Sequence, residues 1–322
     1  MIERLEVLDA RWCEPAPPEE LAAAVDGRRI ERLSRRGKYL DWELEDEVHL
    51  VMHLRMTGNI LLVGADADTP ERNHLRVRMQ LDSGERALFV DPRRFGTGIV
   101  LLGDDARDAY FDTRLGVEPL SPDFTAEALR AQAARRKQPV KAFLLSQERV
   151  AGVGNIYADE ALFRARIHPL RPVGSLKRAQ IASLRDAVVE SLEAGIDSKG
   201  ATIDDFRHPD GASGSFQDRF LVHLREGEPC VRCGRTVVKM RAAGRGTYVC
   251  ERCQPRPRAP PASREQAHPR PVRGDPRRRR RVPDARPRAQ GRDDRRLPRP
   301  LRRQRHLPGP VPDPPARARA LR

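Results

Sequence analysis

Long apolar runs are missing from this 322-residue chain: none approaches the ~18 residues that a membrane span requires. The start, Met1-Ile-Glu-Arg-Leu-Glu6, also lacks the basic-then-apolar pattern of a secretory signal. A soluble, intracellular protein is therefore expected, with no membrane partner. Cysteine is scarce at five residues, which excludes a disulfide-dense secreted scaffold. Four of the five cluster at positions 230, 233, 250 and 253, and Cys13 stands alone. None of the nine Phe, four Tyr and two Trp lies beyond Cys253. From Gln254 to the end the chain also has no Lys, and it carries 22 Arg, six acidic residues and 16 of the 28 prolines. Such a stretch has almost nothing with which to bury a core, so a disordered basic tail is expected.

Charge follows the same split. The chain totals +15, yet the last 69 residues carry +16 and the first 253 carry −1. The body is long enough for one large or two ordinary domains with real cores. Its first third alternates in short β-rich runs at 39–44, 49–52, 59–63, 74–81, 87–90 and 98–102, separated by turn signals such as Asp82-Ser-Gly84 and Asp91-Pro92. An antiparallel sandwich or barrel is expected there. Beyond Pro122 the periodicity becomes helical, with candidate helices at 125–136, 139–145, 158–164 and 175–194. Pro139 suits a first helical turn, and Ser175 is a plausible N-cap.

Cys230-x2-Cys233 and Cys250-x2-Cys253, separated by 16 residues, have the spacing of two knuckles that present four thiolates to one tetrahedral zinc. A four-thiolate site is coordinatively closed, so the metal is expected to be structural. Gly234 follows the first knuckle, where a positive φ is needed. Lys239, Arg241 and Arg245 lie between the knuckles with no acidic residue among them. A phosphate backbone would suit that hairpin, and so would plain solvation.

Two further segments carry chemistry. Val150-Ala-Gly-Val-Gly-Asn-Ile-Tyr157 has two glycines that allow a tight turn, and Asn155 stands where it can cap the next helix; a phosphate site or a simple helix-turn-helix corner fits equally. Asp91-Pro-Arg-Arg-Phe-Gly96 places two arginines beside an aromatic at a strand end. It suits a wedge between bases, with Met56 as a second wedge residue, or an ordinary turn with Phe95 and Met56 folded into the core.

Arg35-Arg-Gly-Lys-Tyr-Leu40, His53-Leu-Arg-Met-Thr-Gly58, Asp91-Pro-Arg-Arg-Phe-Gly96, Leu115-Gly-Val-Glu-Pro-Leu120, Gly152-Val-Gly-Asn-Ile-Tyr-Ala158 and the four-cysteine finger occur in one order along residues 2–254. In this the chain resembles the formamidopyrimidine-DNA glycosylases. The resemblance implies an α+β multidomain protein: a β-sandwich at 1–120, a helix-two-turn-helix domain at 121–212, a zinc finger at 213–254 and the tail at 255–322. It implies base excision repair of double-stranded DNA that carries oxidised purines or abasic sites, by base flipping and β,δ-elimination. It also implies one structural Zn2+ and a monomer in the bacterial cytoplasm, associated with the nucleoid.

Residue by residue, the resemblance makes Lys38 a proton donor near the reacting sugar. Asn155 and Arg245 become the phosphate clamp, with Arg245 also serving δ-elimination. Met56, Arg93 and Phe95 fill the gap left by the everted base. His74, Arg93, Arg136 and Lys141 contact DNA, and Cys230, Cys233, Cys250 and Cys253 hold zinc.

The chain departs from the family pattern in places. The family's N-terminal Pro-Glu pair, nucleophile and acid/base partner, does not stand at Met1-Ile2-Glu3-Arg4, and residues 2–7 match the family's strand after its first helix. Glu3 is out of register with the missing glutamate. Arg55 replaces a glycine before the wedge methionine, and His223 stands at a tyrosine position. Two explanations compete: a start codon upstream that restores Met-Pro-Glu, which we favour, or a non-enzymatic, zinc-dependent binder of damaged DNA. As the chain stands, no Schiff base trapped by borohydride is expected. The related endonuclease branch, acting on oxidised pyrimidines, is a further alternative, and a zinc ribbon binding RNA or protein a more distant one. The tail fits a salt-sensitive DNA-binding arm or a shifted reading frame of a GC-rich gene.

Overall fold

The first strand, β1 (Ile2–Val7), buries Ile2 and Leu5 and is the strand that the resemblance places at the start. After it come α1 (Pro18–Val25), β2 (Ile30–Arg36), β3 (Tyr39–Leu44), β4 (Val48–His53), β5 (Asn59–Val63), β6 (Leu75–Leu81), β7 (Arg86–Val90), β8 (Thr97–Leu102) and α2 (Asp104–Asp112). The remaining elements are α3 (Ala126–Ala133), α4 (Val140–Leu145), α5 (Asn155–Arg164), α6 (Arg178–Asp197), β9 (Val238–Ala242) and β10 (Arg245–Val249). The computed structural model describes residues 1–67, 72–203 and 208–257, all within one compact unit. Residues 258–322 of the tail expected to be disordered, and part of the loop at 198–210, lie outside the described residues.

Two four-stranded antiparallel sheets, ordered β1-β6-β7-β5 and β2-β3-β4-β8, make the expected sandwich. The alternation in β6 is period two: Leu75, Val77 and Met79 are buried while Arg76, Arg78 and Gln80 are only partly covered. Val77 and Met79 pack with Leu44, Leu50, Met52, Phe89 and Trp12 in the sandwich core. Gly98 admits the Trp12 ring where any Cβ would collide with it. Strand β2 and helices α1 and α2 carried weaker sequence signals, because β2 is an edge strand rich in Arg and Glu and both helices are short.

The second core is helical, with Phe143, Leu144, Val153, Leu162, Leu184 and Val188 among its covered residues. Three expectations need correction here. Helix α3 stops at Ala133, not at 136, because Ala134 is extended and Arg135 takes a φ of 60°. Thr125 caps α3 by accepting the Ala128 N–H at 3.0 Å. Ser175 does not cap α6; it closes a short 3-10 turn, and α6 begins at Arg178 with Gln180 Oε1 accepting the Lys177 N–H at 3.1 Å. Helix α5 starts at Asn155, earlier than 158, and Asn155 is its first helical residue while Gly154 occupies the cap position.

The finger hairpin β9–β10 turns at Ala243-Gly244, both at positive φ, and Gly234 after the first knuckle has a φ of 72°. Gln254, the last residue assigned to the finger, is fully buried: its side chain accepts from Cys250 N–H at 3.2 Å and donates to Ile167 O at 3.0 Å. The finger therefore ends one residue beyond its last cysteine, and the chain clamps back onto the helical core.

Candidate nucleic-acid interface

Lys38 sits in the β2–β3 turn, where Gly37 supplies the positive φ of 58°. Glu118 fixes that turn from the opposite segment. Its carboxylate accepts from the Gly37 N–H and pairs with Arg35 at 3.0 Å and Arg36 at 3.1 Å. Burial would raise the Glu118 pKa, but the Arg35 hydrogen bond, the Gly37 N–H and Arg36 outweigh it and hold the carboxyl low. The Gly-rich turn before α5 packs against the same corner: a Cβ on Gly152 would lie 3.5 Å from Gly37 O, and one on Gly154 would lie 3.8 Å from Lys38 Nζ. Gln147 braces that turn, accepting from Gly152 N–H at 2.9 Å and donating to Val153 O at 3.0 Å.

Lys38 reaches solvent, yet the protein around it displaces enough water to lower its pKa from 10.5 to about 8, and the charge of Arg245 acts in the same direction. His53, across the strand pair from Tyr39, is pushed down to about 4 by burial and by Arg55 and Lys38, so it is neutral at pH 7. Arg245 extends from the finger hairpin into solvent. The Asn155 amide donates to Gly246 O at 3.1 Å and so binds the α5 N-terminus to that hairpin, and Asn155 Oδ1 is buried with no partner among the described residues. Lys38, Asn155 and Arg245 thus converge from sandwich, helical core and finger. Asn155 bonds to the hairpin instead of capping its own helix.

Met56, Arg93 and Phe95, the residues read as a wedge, form a second cluster. Met56 is 70% exposed and Phe95 52% exposed, so neither belongs to the core. Arg93 joins them, with its guanidinium 4.8 Å from the Phe95 ring centroid and 3.5 Å from Met56 Sδ. Asp91, fully buried, builds the loop beneath: it accepts from Thr57 Oγ1 and from the N–H groups of Arg93, Phe95 and Gly96 at 3.2, 2.8 and 2.7 Å. Burial opposes ionisation of Asp91, but these donors keep its pKa below the ordinary value. Arg94, at a φ of 59°, is held by both oxygens of Asp9. Arg55 also has a φ of 59°, which is the physical reason a glycine suits that position. His74 receives the Asp91 N–H on its carbonyl at 2.9 Å, and Arg136 bonds its own helix end through Gln132 O at 2.5 Å.

Lys141 is placed otherwise than expected. It has no exposed surface and points at Asp159 and the finger hairpin, so its ammonium is not presented to DNA. Sequence reading missed its partner Asp159, as well as Glu160, Thr247, Asp91 and Asp9. The one available signal was the acidic pair Asp159-Glu160 inside the otherwise apolar buried run Ala158–Phe163 of α5.

The four cysteine sulfurs lie within 4.8 Å of one another, with Cys230–Cys253 at 3.8 Å and Cys233–Cys250 at 3.5 Å. A zinc tetrahedron with bonds of about 2.3 Å has edges of roughly 3.8 Å, whereas a disulfide needs about 2.05 Å. The donor set fits zinc and not cystine, and its four thiolates leave no open position for chemistry.

In the sandwich, Met1 leads into β1, and its amine pairs with Asp82 at 2.8 Å. Asp82 follows β6, at the opposite end of β7 from the Asp91 loop.

Comparison with known proteins places this arrangement. Residues 1–98 match the formamidopyrimidine-DNA glycosylase N-terminal domain, 115–207 its H2TH domain, and 227–256 the zinc finger found in FPG and IleRS. The chain is 42% identical over 254 residues to the formamidopyrimidine-DNA glycosylase of Roseiflexus sp. (strain RS-1), covering 79% of this chain and 92% of that protein. It is 41% identical over 269 residues to that of Symbiobacterium thermophilum, covering 83% and 87%. Among solved structures, the Lactococcus lactis Fpg in complex with abasic-site DNA superposes with a TM-score of 0.73 at 33% identity, covering 79% and 92%. MutM (FPG) from Thermus thermophilus does so with 0.70 at 41%, covering 79% and 91%. Sandwich, helix-two-turn-helix core and zinc finger match in one order and at this identity: the chain belongs to the formamidopyrimidine-DNA glycosylase family.

Proposed function

We propose that the chain locates oxidised purines in double-stranded DNA, everts the damaged nucleotide and serves base excision repair as a DNA glycosylase and abasic-site lyase. The observation that carries this reading is that Arg93 touches both Met56 and Phe95 in solvent, on two loops held by the buried carboxylate of Asp91. Eversion costs a few kcal/mol of stacking and pairing, which an inserted wedge and phosphate contacts offset. Asn155 at the α5 N-terminus and Arg245 on the hairpin supply N–H donors for the phosphates. Lys38, with a pKa of about 8, is mostly protonated at neutral pH and releases its proton readily, which suits donation during elimination. Zinc supplies no chemistry beyond holding the hairpin that carries Arg245. His74 and Arg136 add contacts to the backbone, and the protein works as a monomer on nucleoid DNA in the cytoplasm.

An 8-oxoguanine duplex tests this reading: release of free base and strand cleavage support it, and equal affinity for damaged and intact duplex, or tight binding with no base release, would sink it.

A further inference from the structure

Lys141 spends all three of its protons inside the protein. Its Nζ donates to Asp159 Oδ1 at 2.7 Å, to Thr247 Oγ1 at 2.7 Å and to Gly246 O at 3.3 Å. Asp159, with no exposed surface, turns its other oxygen to His223 Nδ1 at 2.8 Å and to the Tyr248 N–H at 3.4 Å. The next residue, Glu160, is equally buried and accepts the N–H groups of Val222 and His223, each at 3.0 Å. Four parts of the chain meet here: α4, α5, the segment entering the finger, and β10. Gly246 O also takes the Asn155 amide, so one hairpin carbonyl is gripped by Lys141 and by the clamp residue itself. Among the described residues the adjacent Arg245 guanidinium has no hydrogen-bond or ion-pair partner, so its direction is set by the backbone that carries it.

A buried ion pair is a poor source of net stability, because desolvation cancels most of its attraction, but its hydrogen bonds are directional. The geometry points to Lys141, Asp159 and His223 as positioning residues that hold the first half of β10 against the α5 N-terminus, so that the phosphate clamp of Asn155 and Arg245 is formed before DNA arrives. Lys141 then serves DNA binding through Arg245 and touches no phosphate. This rests on the clamp reading above. His223 takes the place of the family's tyrosine and closes the relay on the side of Asp159 away from Lys141.

The test is a double-mutant cycle on the zinc-loaded protein, with binding measured by fluorescence anisotropy to a duplex carrying a tetrahydrofuran abasic analogue. If the wild type shows no preference for this duplex over an intact one, the clamp reading fails and the proposal with it. Given that preference, Lys141→Met and Arg245→Ala are each expected to weaken binding by roughly tenfold, and the double variant by no more than Arg245→Ala alone. Thr247→Val, which removes one acceptor and leaves the ion pair, is expected to cost about threefold, a loss that also vanishes in the Arg245→Ala background. Additive losses, near a hundredfold in the double variant, would show Lys141 acting on phosphate directly and overturn the proposal. Unchanged binding in Lys141→Met would do the same. Should Lys141→Met fail to fold, the Thr247→Val cycle decides by the same criterion.

Discussion

Lys38 is the residue whose chemistry depends most on its surroundings. Its folded pKa of about 8 lies below the ordinary 10.5, so between those values the unfolded chain binds the extra proton. Stability from this group therefore rises with pH across that window and is lost as pH falls through 8. Phosphate binding has the opposite preference, because it favours the charged amine. Affinity for a lesion duplex should fall on the order of fivefold between pH 7 and 9.5 at constant salt, and Lys38→Met should flatten that profile. A second residue-scale outcome concerns Arg55. At a φ of 59° an L-residue is strained, so Arg55→Gly should raise stability by about 1 kcal/mol or slightly less, read from urea unfolding. Residue identity alone pointed to both sites. The sequence also pointed to Lys141, but its burial reverses its role, and only packing could reveal that.

At the scale of elements, the wedge loop shows what a single carboxylate does. Asp91 satisfies three N–H groups of its own turn and Thr57, and without it the buried Gly96 N–H and Thr57 hydroxyl would stay unpaired. Asp91→Ala should cost on the order of 2–3 kcal/mol in urea unfolding and abolish the preference for damaged over intact duplex, whereas Phe95→Ala should lose the preference at unchanged stability. The strands of the sandwich were legible because alternation survives in β6. Edge strand β2 was less so, since Glu31, Arg32 and Arg35 leave no apolar period. The start of α3 was legible near Thr125, whose hydroxyl accepts locally from the Ala128 N–H. The start of α6 was not: Ser175 has the right chemistry, but its hydroxyl donates to Pro172 O at 2.7 Å inside the preceding turn.

At the scale of the whole molecule, the finger is an integral part of the helical core. Phe163 packs in one cluster with Val222, Val237 and Tyr248, and Gln254 bridges Cys250 to Ile167. Truncation after Pro257 should leave the melting temperature unchanged and reduce only salt-sensitive affinity for intact DNA, since 21 of the 22 tail arginines lie beyond that cut. Truncation after Cys253 should instead destabilise the protein by roughly 1–3 kcal/mol, because two buried backbone groups lose their partner. Differential scanning calorimetry of the two truncations separates these outcomes. Among the described residues, no helix is long and apolar enough to cross a membrane, in keeping with the absence of long apolar runs.

The sequence by itself determined the family, the sandwich-to-helix order and the four-cysteine zinc site, because each rests on local spacing or on side-chain types that keep their meaning out of context. Tertiary structure decided what depends on distance across the chain. It set the lowered pKa of Lys38, to which the distant Arg245 contributes, and the bracing of its turn by Glu118. It also turned a surface-looking cation, Lys141, into the buried pin of the finger. Burial and long-range pairing leave no periodic trace in the sequence, so the electrostatics of the site emerged only when the three parts packed together.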